Sequence, residues 1–268
     1  MKKYLGIIWL VLVLAFIYVP VVVLAVYSFT DASMVGAAAN GFSFKNYVNL
    51  FADEGLRNMI FGTIVLAVVC AAVSTVLATF GAIGAFYSKK VTKSLLNAVN
   101  QIPVVNADIV TGFSICVLLI VIMQVSKDTY IPLGLGHIVL TAPFVYLSIL
   151  PKLKQMDNSL YEAALDLGAT PAQALFKVVI PQLIPGILSG FMLAVTLSLD
   201  DYFVTTYTKP STFDTISTYV VNATKGSQTE AKTALWALST LIFIVVIVAV
   251  VLMNVLSGRK KEKKNESR

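Results

Sequence analysis

Residues 157–185 read DNSLYEAALDLGATPAQALFKVVIPQLIP, the longest soluble-looking piece of chain between two strongly apolar segments. The pattern predicts two short helices joined by a tight turn. Ser159 and Glu162 have the S-x-x-E spacing of a capping box, which starts a helix at about Leu160. Gly168 ends it, because glycine accepts the left-handed backbone that a helix needs at its C-terminal cap. Thr170 caps the second helix, Pro171 takes its first position, and Gln173 completes T-x-x-Q spacing. Pro181 and Pro185 then stop or bend it. A helix–glycine–helix element wedged between membrane-length apolar segments points to an all-α integral membrane fold.

Composition agrees. Apolar residues make up 57% of the chain, charged residues 13%, and the mean hydropathy is +0.83. Those values exclude a soluble globular domain and a disordered chain. The net charge of +6 is no nucleic-acid signature, because the basic residues sit at segment ends: Lys2 and Lys3, Lys89, Lys90 and Lys93, and Arg259 to Lys264. That is the footprint of charge-determined membrane orientation. Cys70 and Cys116 fall inside apolar segments and read as small buried hydrophobes, with no disulfide or metal framework.

Six spans are expected, at residues 5–27, 59–87, 97–123, 132–150, 184–207 and 234–256. Each approaches or exceeds the roughly 20 residues that cross a hydrocarbon core. The first span, with Pro20 kinking it, reads as an uncleaved helix, being too long for a signal peptide and followed by no cleavage site. Residues 28–58 form a polar loop with aromatics at Phe42, Phe44, Tyr47 and Phe51. Its charges are Lys45 and Arg57 against Asp31, Asp53 and Glu54, which suits the outer side. In the second span Ala71, Thr75, Ala78, Ala82 and Ala85 make one small-residue face, a seam for a neighbouring helix. Residues 88–96 carry three lysines and no acid, hence the cytoplasm. The third span is half polar, with Pro103 inside, which is tolerated only where it faces protein or water. The organisation is then an N-terminal helix (1–27), an outer loop (28–58), a core of five spans (59–256) that contains the loop at 157–185, and a basic tail (257–268). Both termini and that loop lie in the cytoplasm, and residues 208–233 form an outer loop.

The chain has no G-x-x-x-x-G-K-[ST] phosphate loop, no H-E-x-x-H or Cys/His cluster and no G-x-S-x-G elbow, so no catalytic residue is assigned and no metal or cofactor is expected on it. The single histidine, His137, reads as an interfacial residue at the outer end of the fourth span.

Glu162, Ala163 and Ala164, then Gly168, then Val178 to Pro181 resemble the E-A-A loop of ABC importer permeases. That pattern is E-A-A, three residues, Gly, nine residues and I-x-L-P. Here Val178 stands for the isoleucine and Ile180 for the leucine. The resemblance implies a type I importer permease fold in a bacterial inner membrane. It implies that Glu162, Ala163, Ala164, Gly168 and Pro181 couple to a cytoplasmic ABC ATPase dimer, which carries the ATP and Mg. It further implies a second related permease, making a heterodimer, and an extracytoplasmic binding protein.

Acidic residues inside spans are costly and usually face a cavity. Asp108 in the third span and Asp200 with Asp201 in the fifth are the candidates. On one continuous helix Thr196, Asp200, Phe203 and Tyr207 share a face, and Asp201 points about 100° away. A carboxylate beside aromatic rings attracts an alkylammonium ion by charge and by cation–π contact. The segment Thr196 to Asp201 and the run Asp108-Ile109-Val110, with Gly41, Phe42, Tyr47 and His137, resemble the C-subunit permeases of spermidine/putrescine importers, although Ala107 replaces a proline there. The resemblance implies a polyamine path along Asp108, Asp200 and Asp201, with Tyr202, Phe203 and Tyr207 covering the methylene chain. Two alternatives stay open: the same machine carrying another solute, and a proton-coupled secondary transporter that uses the aspartates as proton carriers.

Overall fold

The computed structural model describes residues 2–32, 41–157, 159–225, 233–244 and 247. Among these the chain is helical, with one isolated bridge between Thr30 and Phe42. Four helices are long and apolar enough to cross a membrane: Gly6–Ser28, Glu54–Tyr87, Ile131–Gln155 and Pro171–Asp200. A fifth span is added if Lys90–Val105 and Asp108–Ile122, bent by 104°, count as one. Only the start of the expected sixth span is described, as the apolar helix Thr233–Ile244. The basic tail lies outside the described residues.

The chain divides into two units, Met1–Asn58 with Val220–Arg268, and Met59–Tyr219. In the first, α1 (Lys2–Ser28) exposes apolar side chains on all sides. A helix hydrophobic all round needs an apolar surrounding, here lipid. Its C-terminal end is tied down by α2 (Lys45–Ala52). The Asn46 amide donates to Ser28 O at 3.2 Å and Thr30 O at 3.0 Å, and the Ser28 and Tyr47 hydroxyls are 2.9 Å apart. Phe29 stacks on Phe42 with centroids 5.6 Å apart. Phe42 and Tyr47 are aromatics of the expected polar loop, and Asn46 adds the amide between them.

The second unit is built on α3 (Glu54–Tyr87), α6 (Ile131–Gln155) and α9 (Ile180–Asp200). The expected seam of α3 is real: Ala71, Thr75, Ala78, Ala82 and Ala85 are all buried. Polar bonds cross the interface between α3 and α6, with Ser74 Oγ 2.6 Å from Thr141 Oγ1. Helices α6 and α9 approach at Gly186 and Gly190. A β-carbon at Gly190 would lie 2.9 Å from Val145 Cγ1 and 3.2 Å from Val145 Cα. Small residues four apart permit this approach, which is how membrane helices pack without a hydrophobic force between them. Ala71, Ala78, Val145, Ile149, Leu153, Val179 and Leu183 form part of the core between the three helices.

Three expectations about the spans are corrected. The third span is not one helix: α4 (Lys90–Val105) ends at Asn106 and α5 (Asp108–Cys116) starts after Ala107, both linking residues being extended. Asparagine and aspartate favour helix ends over helix interiors, so N-A-D is a place for a break, and the Asn106 amide bridges it by donating to the Thr111 hydroxyl at 3.2 Å. Helix α4 also takes up most of residues 88–96, expected as a loop. The fifth span ends as a helix at Asp200, and α10 (Phe203–Thr208) starts afresh after Asp201 and Tyr202. Beyond it, α11 (Ile216–Lys225) lies inside the expected outer loop.

Candidate functional site

The loop of residues 157–185 folds as expected at its centre and differently at both ends. Helix α7 (Ser159–Asp166) carries Glu162 and Ala163 exposed and Ala164 half-buried. Ser159 is not the cap. It lies within α7, and Asp157 Oδ1 accepts its N–H at 3.0 Å. This bond, with one from the Ser159 hydroxyl, holds the Asp157 carboxyl below the usual carboxylate range. Gly168 has φ +85°, the left-handed conformation that the cap requires, with nothing within 4 Å of a β-carbon placed there. Helix α8 (Pro171–Ala174) starts in a complete capping box between Thr170 and Gln173.

Pro181 and Pro185 do not stop the second helix. From Pro171 the chain runs helically to Asp200. The turn Leu175–Val179 widens to π geometry, with the Ile180 N–H bonding to Leu175 O, five residues back. The widened turn takes in one residue more than an α turn just before Pro181, whose missing N–H would otherwise open the ladder inside a regular helix. Pro181 is exposed on the first turn of α9.

At the far end of α9, about 30 Å away over its 21 residues, the acidic residues lie at the helix break. Asp200 is exposed, and its backbone carbonyl accepts the Ser217 hydroxyl at 3.1 Å. Asp201 is buried and acts as the cap of α10. Its Oδ1 accepts the Val204 N–H at 3.2 Å, and its Oδ2 accepts the Thr205 N–H and hydroxyl, both at 2.7 Å. The face expected to carry Thr196, Asp200, Phe203 and Tyr207 is therefore interrupted, because the Asp201 side chain captures backbone donors that a continuous helix would use.

His137, expected at an interface, is buried on α6. Its Nδ1 lies 2.7 Å from Ser198 Oγ on α9, and its Nε2 lies 3.0 Å from Thr205 Oγ1 on α10 and 3.8 Å from Asp201 Oδ2. Thr205 has one hydroxyl proton and spends it on Asp201. It therefore accepts from His137 Nε2–H, and the Ser198 hydroxyl donates to Nδ1. Three helix segments meet in this cluster.

Asp108 is the first residue of α5 and exposed. A carboxylate there complements the helix dipole. Helix α10 lies against α5, since a β-carbon on Gly112 would be 2.9 Å from Val204 Cα. Tyr207 meets Phe113 edge-on at 5.8 Å, and Tyr202 meets Phe203 at 5.3 Å. Phe203 is exposed, while Tyr202 and Tyr207 are half-buried. The structure thus brings the helix bearing Asp108 to the one following Asp200 and Asp201, and stands the capped loop at the opposite end of α9. No group of three or more His, Cys, Asp or Glu suited to a metal ion occurs among the described residues.

Residues 77–263 match the family of binding-protein-dependent transport system inner membrane components. The chain belongs to this family. It is the permease component of an ABC importer, a multi-pass protein of the inner membrane. The permease is 30% identical to the putrescine transport system permease protein PotI of Escherichia coli over 74% of its own chain and 72% of that protein. It is 28% identical to the spermidine/putrescine transport system permease protein PotC of Haemophilus influenzae over 92% and 94% of the two chains. A bacterial alginate ABC transporter, solved in complex with an alginate pentasaccharide-bound periplasmic protein, has a similar fold. Its TM-score is 0.69 over 92% of the permease and 91% of that chain, at 17% identity.

The buried cluster of His137, Ser198 and Thr205 was not legible as a unit from the sequence. One signal for it existed. Asp201 is a preferred N-cap residue, and such a residue in the middle of an apolar run marks a candidate helix break.

Proposed function

We propose that this permease carries polyamines, moving them from an extracytoplasmic binding protein into the cytoplasm on energy from a separate ATPase. The observation that carries the cargo assignment is a pair of exposed carboxylates, Asp108 and Asp200, on chain segments joined by the packing of α10 against α5. Tyr202 and Phe203 follow Asp200 in the chain, and Tyr207 meets Phe113 of the helix that Asp108 begins. A polyamine bears two or more ammonium groups on a flexible apolar chain, so a path for it needs separated anions and rings to cover the methylenes. Asp108 and Asp200 supply the separated anions, with Tyr202, Phe203 and Tyr207 as the rings, while Asp201, expected with them, is buried in the helix break. The similarity to PotI and PotC supports the same cargo.

The exposed, capped elements α7 and α8, bearing Glu162, Ala163, Ala164 and Gly168, present a docking edge for the ATPase. Pro181 opens α9, which carries movement from that edge to the acidic break. The working assembly is this permease, a related sister permease, two ATPase copies holding ATP and Mg, and the binding protein. Both termini and the α7–α8 loop face the cytoplasm. The deciding experiment is uptake of radiolabelled putrescine and spermidine in cells stripped of other polyamine importers and supplied with the full assembly. ATP-dependent uptake that survives collapse of the proton gradient supports the proposal. Absence of polyamine uptake transfers the reading to another solute, and loss of uptake with the gradient alone transfers it to a secondary transporter.

A further inference from the structure

We infer that His137 is a positioning residue of the transport path, which with Ser198 and Thr205 holds Asp201 inside the break between α9 and α10 so that, of the two adjacent aspartates, Asp200 alone is presented to cargo. The inference rests on the proposed path but assigns its two neighbours opposite tasks.

Helix α10 has six residues, too few to hold itself by its own hydrogen bonds. Its place is set by what surrounds it. Val204 is seated between two glycines: a β-carbon at Gly136 would lie 2.7 Å from its Cγ1, and one at Gly112 would lie 2.9 Å from its Cα. The polar side of the same turn is held by Asp201, whose two oxygens accept three bonds. His137 ties this capped turn to the last turn of α9 through Ser198 and to α10 through Thr205. Both imidazole nitrogens and both Asp201 oxygens are engaged, and no buried side-chain polar atom among the described residues lacks a partner. A satisfied polar network at a helix break fixes one geometry, because any other leaves buried groups unpaired. Asp201 is buried and its carboxylate holds the first turn of α10, so an ammonium ion does not reach it without opening the break. Asp200, one residue earlier, is exposed, and its carboxylate has no partner among the described residues.

The test uses the full transporter in proteoliposomes, with Cys70 and Cys116 replaced. The first readout needs no cargo. A reporter, Val204→Cys, is buried between the two glycines, and its labelling by a soluble thiol reagent reports the seating of α10. Labelling should be slow beside His137, roughly tenfold faster with His137→Leu, and slow again with His137→Gln, whose amide carries two polar atoms to a similar reach. The second readout is uptake. His137→Leu should lower the maximal rate of putrescine uptake roughly tenfold in assembled transporter. Apparent affinity, set by the binding protein, should hold, and His137→Gln should restore the rate. Slow labelling with His137→Leu overturns the inference. So does faster labelling with an unchanged rate, which leaves the cluster a structural role only. If His137→Leu does not assemble, Ser198→Ala and Thr205→Val, each removing one bond to the ring, are read by the same two measurements. Should wild-type transporter take up no polyamine, the cargo reading falls, and the labelling readout still decides the role of His137.

Discussion

Thr170 and Gln173 hold each other across the first turn of α8. Thr170 Oγ1 accepts the Gln173 N–H at 3.3 Å, and Gln173 Oε1 accepts the Thr170 N–H at 3.0 Å. With Pro171 between them, they start the helix that leads into α9. Thr170→Ala removes one arm of the box and should cost about 1 kcal/mol of local helix stability. Hydrogen exchange should quicken at the amides of α8 in the variant and stay unchanged in α6. Equal protection in both proteins would show that the box adds nothing here.

Gly168 is left-handed, yet the space around it is empty. The penalty for a side chain is therefore one of backbone conformation alone, roughly 1–2 kcal/mol for a β-branched residue. Gly168→Val should abolish uptake while the complex still assembles and binds cargo outside. Gly168→Asn, a residue that accepts this conformation, should retain most of the transport. Equal damage by both would mean that bulk, not backbone, matters at this position.

The membrane orientation is testable at two exposed positions. In a background free of Cys70 and Cys116, a cysteine replacing Gln173 should react only from the cytoplasmic face, and one replacing Asn222 only from the opposite face. Labelling of both from the same side would refute the proposed topology.

Removing one carboxylate from a desolvated pairing with cargo costs about 2–5 kcal/mol when the partner charge is left alone. Asp200→Asn and Asp108→Asn should each cut polyamine uptake by well over tenfold with little loss of assembled protein. Asp201→Asn should behave differently, because its first effect is on the cap of α10, and it should raise the labelling of Val204→Cys. Near-normal uptake in the Asp200, Asp108 and double variants would remove the acidic path.

Gly190 is one of two glycines, with Gly186, at which α9 packs tightly on α6. Gly190→Val puts branched carbons against Val145 backbone and should destabilise the pair by about 1–3 kcal/mol. The assembled protein should melt at lower temperature in detergent, before any assay of transport is made. An unchanged melting temperature would show that the two helices separate without cost.

Much of the architecture was legible because it rests on local chemistry. The small-residue face of α3, the glycine cap at 168 and the box at Thr170 are each written within a few residues of chain. The breaks at Asn106 and Asp201 were harder. Asn106 lies in the polar half of a span still read as one helix, and Asp201 lies in an apolar run that hydropathy reads as uninterrupted, although an aspartate there has the character of a cap. His137 was misplaced as well. Its partners are 61 and 68 residues away in sequence, so no local pattern announces its burial. The prolines misled in the opposite sense, since Pro181 follows a turn already widened to receive it.

That widened turn at Leu175–Val179 sets a phase. It holds one residue more than regular winding would, upstream of everything α9 carries. Each residue in a helix advances the direction of its successors by about 100°. Deleting a single residue there would restore regular winding and keep the face bearing Gly186, Gly190 and Ser198 on α6, whereas deleting one from the regular turns that follow would swing the rest of α9 by about 100°. In those turns, length changes that a surface loop absorbs without effect would thus uncouple the two ends of this helix. They form a threaded joint with one correct setting.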